Sequence, residues 1–329
     1  MIISRAPVRF SLGGGGSDLP AYAREHGGFI VTAAVDKYVY ICANRRFHES
    51  IRLSYSSTEI VEHAHQIAHK IFREALTLLE IDRGIELTSM SDVPANSGLG
   101  SSGAFTVSLL NALHAYRREY VSTKQLADEA CHIEIDRLKE PIGKQDQYAS
   151  AFGRISCLEI DKDLSVRVTP LRLSDDALAE LESNLHVFYI GGTREASPIL
   201  ADQQQQMRSS ERSVEAMHRI KQLGHETRRL LEQGKLDEYG ELLDEHWREK
   251  RRLSAQVSSA AIDEHYAAAR RAGALGGKVM GAGGGGFFLL YAREGKGALI
   301  RTLVARGLRY IRFRFDMDGA KVVANLTRS

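Results

Sequence analysis

Residues 94–103 read Pro-Ala-Asn-Ser-Gly-Leu-Gly-Ser-Ser-Gly. A strand-like run, residues 84–93, leads into this stretch, and a helix-like run, residues 104–116, leaves it. Gly98, Gly100 and Gly103 lack the Cβ that would keep a backbone from closing round a bulky anion. Ser101 and Ser102 stand where a following helix directs its free N–H groups and the positive end of its dipole. These are the ingredients of a phosphate cradle at a helix N-terminus. The same residues also suit a plain glycine-rich turn, and the stretch taken alone leaves both readings open. The common nucleotide P-loop is excluded, because Gly-x-x-x-x-Gly-Lys-Ser/Thr occurs nowhere in the chain.

The surrounding chain has 329 residues, which suits two cores of ordinary size. An apolar share of 43% and a charged share of 26% describe a soluble globular protein. The formal net charge of +2 is nearly balanced, and no polybasic tract interleaves with aromatics, so nucleic acid is not an expected partner. No run approaches the ~18 uninterrupted apolar residues of a membrane span, so no membrane partner is expected either. Cys42, Cys131 and Cys157 are widely spaced in apolar surroundings and read as reduced core residues without metal-ligand spacing. The start, Met-Ile-Ile-Ser-Arg-Ala-Pro, lacks the pattern of a signal peptide. The expected location is cytoplasmic.

Upstream of the loop, residues 2–12 read as a strand entering Gly13-Gly14-Gly15-Gly16-Ser17-Asp18. Four glycines permit close backbone approach to a ligand, and Ser17 and Asp18 offer polar groups to hydroxyls. A flexible, Ser/Asp-capped turn is the plainer reading. Residues 29–34 and 38–43 look like two strands about an Asp36-Lys37 turn, and residues 62–80 have helical spacing. His63, His65 and His69 on that stretch have no carboxylate partner that would complete a metal site.

Downstream, Ser122-Thr-Lys-Gln125 is a capping box that opens a helix to about Leu138. Glu134 shares a side of it with Ala127, Ala130, Cys131 and Leu138. A carboxylate there is either paired at the surface, with Arg137 or Lys124, or buried against a cation. Glu140-Pro-Ile-Gly-Lys-Gln-Asp-Gln-Tyr148 follows, placing Lys144 and Asp146 in a constrained turn. A lysine beside a carboxylate suits phosphoryl transfer and is equally ordinary at a surface. The polar stretch 174–184 marks a candidate boundary between domains 1–183 and 184–329. Helical patterns then cover residues 197–233, 238–256 and 262–272. Gly281-Ala-Gly283-Gly284-Gly285-Gly286 matches Gly-x-Gly-x-x-Gly by letter, yet it leads into a strand, and residues 300–311 lack the acidic residue of a dinucleotide site.

The order of three motifs resembles that of the GHMP kinases, a family of small-molecule kinases. They are Arg5-Ala-Pro-Val-Arg-Phe-Ser-Leu-Gly-Gly-Gly-Gly-Ser-Asp18, Pro94 to Ala104, and Lys278-Val-Met-Gly-Ala-Gly-Gly-Gly-Gly-Phe287. The resemblance implies a two-domain α+β fold, with an N-terminal domain like ribosomal protein S5 domain 2 and a ferredoxin-like C-terminal α/β sandwich. It implies ATP and Mg²⁺ in the cleft between them. Ser97, Gly98, Leu99, Gly100, Ser101, Ser102 and Gly103 would wrap the ATP phosphates, and Ser102 and Glu134 would hold Mg²⁺. Asp146 would accept or orient the proton of the attacking hydroxyl, and Arg9 would support that site. Gly281, Gly283, Gly284 and Gly285 would let the C-terminal domain approach the loop.

Gly15-Gly16 stand where galactokinases carry a Glu-His pair, which counts against galactose as acceptor. The glycine-rich first motif, the second-motif variant and the 140–148 segment look most like the heptose 7-phosphate kinases of the family. That likeness implies a sugar phosphate as substrate beside ATP, held by Gly15, Gly16, Ser17 and Asp18. Lys144 and Arg194 are candidates for its phosphate. Another sugar 1-kinase or a non-catalytic sugar-binding relative remain alternatives, and a homodimer is left open.

Overall fold

The computed structural model describes residues 1–191 and 196–326; Arg194 lies outside the described residues. The strands are β1 (Ile2–Gly13), β2 (Gly28–Arg45), β3 (Ile51–Ser54), β4 (Thr58–Val61), β5 (Ile85–Ser91), β6 (Ile155–Ile160), β7 (Val166–Pro170), β8 (Leu185–Gly191), β9 (Gly276–Val279), β10 (Gly286–Tyr291), β11 (Arg309–Ile311) and β12 (Lys321–Asn325). The helices are α1 (Pro20–His26), α2 (Lys70–Leu78), α3 (Ser101–Arg117), α4 (Thr123–Cys131), α5 (Gln145–Phe152), α6 (Asp175–Asn184), α7 (Ala196–Ser209), α8 (Glu211–Glu232), α9 (Leu236–Leu253), α10 (Ala260–Arg271) and α11 (Lys296–Val304).

Among the described residues the strands form two sheets. The first runs β12-β1-β2-β5-β3-β4, with β6 and β7 continuing from β2; the second is antiparallel in the order β11-β8-β10-β9. The last strand therefore returns to the first sheet, where Ile2 pairs with Asn325. Residues 28–35 of β2 are buried without interruption, as in a strand covered on both faces. The cover comes from α3, α5 and α8. One cluster of buried side chains runs from the first sheet through Leu230, Tyr239 and Leu243 to Phe287 and Leu289 of the second. This continuous apolar contact fixes the two sheets relative to each other and sets the width of the cleft between them.

Two local expectations change in the structure. Residues 28–45 are one strand rather than two about a turn. The Asp36-Lys37 pair sits instead at a register shift opposite Pro7 and Val8, where the proline has no N–H to donate. The stretch 62–80 is helical only over Lys70–Leu78, after a short 3₁₀ turn at Ala64–Gln66. The Glu59 carboxylate accepts the N–H groups of Ala68 and His69, which delays the helix until residue 70. The polar stretch 174–184 is a helix capped by Ser174, whose side chain accepts the N–H of Ala177.

Candidate functional site

The loop after β5 makes its turn with Asn96, Gly98 and Gly100 at positive φ, the last of these directly before α3. Only a residue without Cβ takes that conformation at Gly98 and Gly100 in the space available. A Cβ on Gly98 would stand 2.8 Å from the Met280 carbonyl oxygen, and one on Gly100 would stand 3.0 Å from Asp146 Cγ. Leu99 points the other way and is buried in the core, which anchors the loop. The first N–H groups of the seventeen-residue helix α3 lack intrahelical partners, and Gly98, Gly100, Ser101 and Ser102 line a cleft of about 740 Å³.

Arg9, on β1, ties this loop to Asp146 at the start of α5. Its backbone N–H donates to Leu99 O at 2.9 Å, its Nη1 to Gly98 O at 2.7 Å, and its Nε to Asp146 Oδ1 at 2.7 Å. Its Nη2 lies 2.6 Å from the same carboxylate oxygen. The constrained turn ends at Lys144, the residue before α5, so Asp146 sits in the first turn of that helix. Gly103 makes the contact possible, since a Cβ there would be 2.7 Å from Asp146 Cβ.

Glu134 is 1% exposed. It lies in a π-helical turn, His132–Arg137, that continues α4 and rolls its side chain inward. Ser102 Oγ donates to one carboxylate oxygen at 2.6 Å and Gln147 Nε2 to the other at 2.9 Å. Burial pushes its carboxyl above the ordinary range, partly offset by those two hydrogen bonds. The surface partners weighed for it are engaged elsewhere, Arg137 with Glu74 and Lys124 with Asp128. Among the described residues no group of three or more His, Cys, Asp and Glu could hold a metal. One carboxylate with one hydroxyl is instead the kind of hard-oxygen set that suits Mg²⁺ shared with substrate phosphates and water.

The first glycine tract separates its members. Ser17 is fully buried, its Oγ accepting from Phe29 N–H and donating within the turn to Gly14 O at 2.8 Å, so its hydroxyl braces the tract. Asp18 lines the cleft, accepts Gln145 N–H at 2.9 Å and is pushed up by burial. Gly15 and Gly16 also line it. Lys144 is turned away: its Nζ donates to Leu164 O at 2.8 Å and it does not line the cleft. Gly281 lines the cleft, Gly283 packs on Val257, and Gly284 donates its N–H to Val257 O. Gly285 has φ +155 and leads into β10.

Several lining residues escape a reading of the sequence. Ser11 Oγ and Gln145 Nε2 are buried beside Gly15 with no hydrogen-bond partner. His246 and Lys250, from α9, and Lys278, from β9, face the cleft although each is more than nine-tenths buried. His246 and Lys250 are four apart on a strongly charged helix and read locally as a solvated face. Lys278 opens the third motif, and nothing in that tract marks its ammonium as buried.

A cradle of N–H groups and the Arg9 guanidinium can offset charge on a transferring phosphoryl group, and a carboxylate fixed beside them can orient the hydroxyl that attacks it. Two family models match this chain: GHMP kinases N terminal domain over residues 59–154 and GHMP kinases C terminal over residues 227–305, together more than half of its length. The chain belongs to the GHMP kinases and is a small-molecule phosphotransferase of the two-domain α+β fold.

It is 28% identical to the D-glycero-alpha-D-manno-heptose 7-phosphate kinase of Campylobacter jejuni, an alignment covering 97% of this chain and 98% of that protein. It is 24% identical to the L-fucokinase/L-fucose-1-P guanylyltransferase of Bacteroides fragilis, over 96% of this chain and 37% of that longer protein. The crystal structure of a D-glycero-D-manno-heptose 1-phosphate kinase from Bacteroides thetaiotaomicron superposes with a TM-score of 0.82 at 26% identity, covering 99% of this chain and all of that one. A mevalonate kinase structure at 17% identity and a TM-score of 0.76 shares the fold.

Proposed function

We propose that this protein transfers the γ-phosphoryl group of ATP to the anomeric 1-hydroxyl of D-glycero-α-D-manno-heptose 7-phosphate, giving the 1,7-bisphosphate, a step toward nucleotide-activated heptose for surface polysaccharide. The observation that carries the reading is the Arg9–Asp146 pair, locked against Gly98 and Gly100 of the loop and facing Gly15 and Gly16 across the cleft. The similarity to heptose phosphate kinases along almost the whole chain supports the choice of acceptor.

In this reading the loop N–H groups from Ser97 to Gly103 hold the phosphates of ATP. Ser102 and Glu134 would hold Mg²⁺, which supplies charge neutralisation at the phosphate oxygens when bound. Arg9 fixes Asp146 through Oδ1, and Asp146 aligns the acceptor hydroxyl and takes up its proton as the oxygen–phosphorus bond forms and ADP leaves. Arg9 and the helix start offset the charge that develops on the transferred group. Asp18, Ser11 and Gln145 present polar atoms to the hydroxyls of the sugar, where the two glycines leave room for a larger acceptor than a hexose. The N-terminal unit in this scheme is residues 1–183 and the C-terminal unit residues 184–329.

The test is a panel of heptoses, hexoses and their phosphates incubated with ATP and Mg²⁺, with phosphorus NMR of the products. A new anomeric phosphate, formed best on heptose 7-phosphate, is the expected result. Preference for an unphosphorylated sugar such as fucose, or phosphorylation at another hydroxyl, overturns the assignment.

A further inference from the structure

Behind the third glycine motif three nitrogen-bearing side chains converge on the cleft without an anion to balance them. Lys250 Nζ donates to the carbonyls of Val279 and Gly281 at 2.9 and 2.5 Å. In the charged form these bonds use two of its three protons and leave one free. Lys278 Nζ lies 3.4 Å from His246 Nε2. When Lys278 is an ammonium it has only donors, so Nε2 then accepts and the ring proton stands on Nδ1. That Nδ1 is buried with no hydrogen-bond partner.

The exposures are 8% for Lys250, 2% for Lys278 and 2% for His246. Among the described residues neither lysine pairs with a carboxylate, and the Asp146 carboxylate is taken by Arg9. Two unpaired ammonium groups sunk beside a guanidinium are costly to fold around unless a ligand supplies the counter-charge. All three side chains line the cleft rather than the protein interior alone.

We propose that Lys250, Lys278 and His246 form an anion seat that holds a phosphate group of a bound substrate. Phosphate is the fitting class, since it offers several acceptor oxygens and up to two negative charges to a cluster of donors from different elements. The empty seat is stressed in the direction this role requires. Burial, with the Arg9 charge as a further cause, pushes Lys250 down to about 7, and burial and Lys250 push Lys278 well below the ordinary range. An arriving anion favours the charged form of both. The cleft admits two sources of such a group, the terminal phosphoryl of the nucleotide and the phosphate already carried by a sugar acceptor. The second source rests on the acceptor proposed above; the seat itself does not.

The experiment is isothermal titration calorimetry on the full chain and on the Lys250→Met and Lys278→Met variants, which keep most of the unbranched side chain and remove the charge. The probes are sulfate, ADP, a non-hydrolysable ATP analogue, heptose 7-phosphate and unphosphorylated heptose. Loss of a charge-assisted hydrogen bond to phosphate weakens binding about 10- to 100-fold. If the acceptor's phosphate occupies the seat, heptose 7-phosphate loses that factor while heptose and the ATP analogue keep their affinities. If the nucleotide occupies it, the ATP analogue loses that factor relative to ADP and heptose 7-phosphate does not. Either result supports the seat and names its occupant.

If wild-type protein fails to bind heptose 7-phosphate but the lysines still govern sulfate and ATP-analogue binding, the acceptor assignment falls and the seat stands. Affinities for every probe within twofold of wild type in both variants overturn the seat. Should a variant not fold, sulfate binding to the wild-type chain at pH 8 decides, measured in buffers of different ionisation enthalpy. Uptake of a large fraction of a proton is expected, and binding without uptake overturns the proposal.

Discussion

Gly281 faces Gly98 so closely that a Cβ on Gly281 would stand 2.5 Å from the Gly98 Cα. The two glycines belong to motifs 183 residues apart in the chain, and their contact is where the wall carrying the third motif meets the 94–103 loop. Gly281 also has φ +66, so a side chain there is strained as well as obstructed. Gly281→Ala is expected to push the loop away from its place, lowering stability by about 1–3 kcal/mol and weakening ATP binding. Thermal unfolding with and without nucleotide checks this. A variant with wild-type nucleotide protection would show that the contact does not position the loop.

The Asp146 carboxylate receives both nearby nitrogens of Arg9 on a single oxygen. Asp146→Asn should keep ATP binding and lose about 10²–10³ in turnover, the usual loss for one electrostatic contributor. Arg9→Lys should lose a similar factor, because a point charge cannot reach both the Gly98 carbonyl and the carboxylate in the same planar fork. A coupled ADP-release assay reads both, and near-normal turnover in Asp146→Asn would remove it from the reaction.

Glu134 is a buried carboxylate held by two neutral donors, Ser102 and Gln147. Glu134→Gln removes a desolvated charge and so should leave the apo protein at least as stable, while raising the Mg²⁺ concentration needed for half-maximal turnover by about tenfold or more. Magnesium titrations of the two proteins measure the second effect, and chemical denaturation measures the first. An unchanged magnesium requirement would mean that Glu134 serves only to orient Ser102.

Lys250, lowered to about 7, sets a sign for the pH dependence of stability. Between pH 7 and the ordinary lysine range near 10.4, the unfolded chain binds this proton and the folded chain does not. The Lys250 contribution is therefore unfavourable at low pH and improves as pH rises, with a slope of at most about 1.4 kcal/mol per pH unit. The difference in unfolding free energy between Lys250→Met and wild type should accordingly be largest near pH 7, in favour of methionine, and shrink by pH 9. Denaturant melts at both values test it; a difference independent of pH contradicts the burial of a titrating ammonium.

Much of the architecture is legible along the chain. The 94–103 stretch names its own conformation, because glycines at 98 and 100 and serines at 101 and 102 bias the local backbone whatever surrounds them. The Ser122 and Ser174 caps are local for the same reason, being hydrogen bonds over three residues. Where a distant partner intervenes, local reading gives way. The Asp36-Lys37 pair looks like a turn until β1 lies beside it, and residues 62–69 look helical until Glu59 captures two of their N–H groups.

The site divides along the same line. Glycine tracts, caps and apolar periodicity act over a few residues, so the order of three motifs was enough to mark the resemblance to the kinase family, and that resemblance pointed to Asp146, Glu134 and Ser102. Whether a charged side chain is buried, and against what, depends on segments that meet only when the chain has folded. Ser17 thus turns out to brace its own loop, and Lys144 to bond the Leu164 carbonyl. Lys250, on a helix that reads as solvated, instead meets Lys278, His246 and the third glycine motif in the wall of the cleft. Burial and long-range charge are properties of that assembled environment, and no window of sequence contains them.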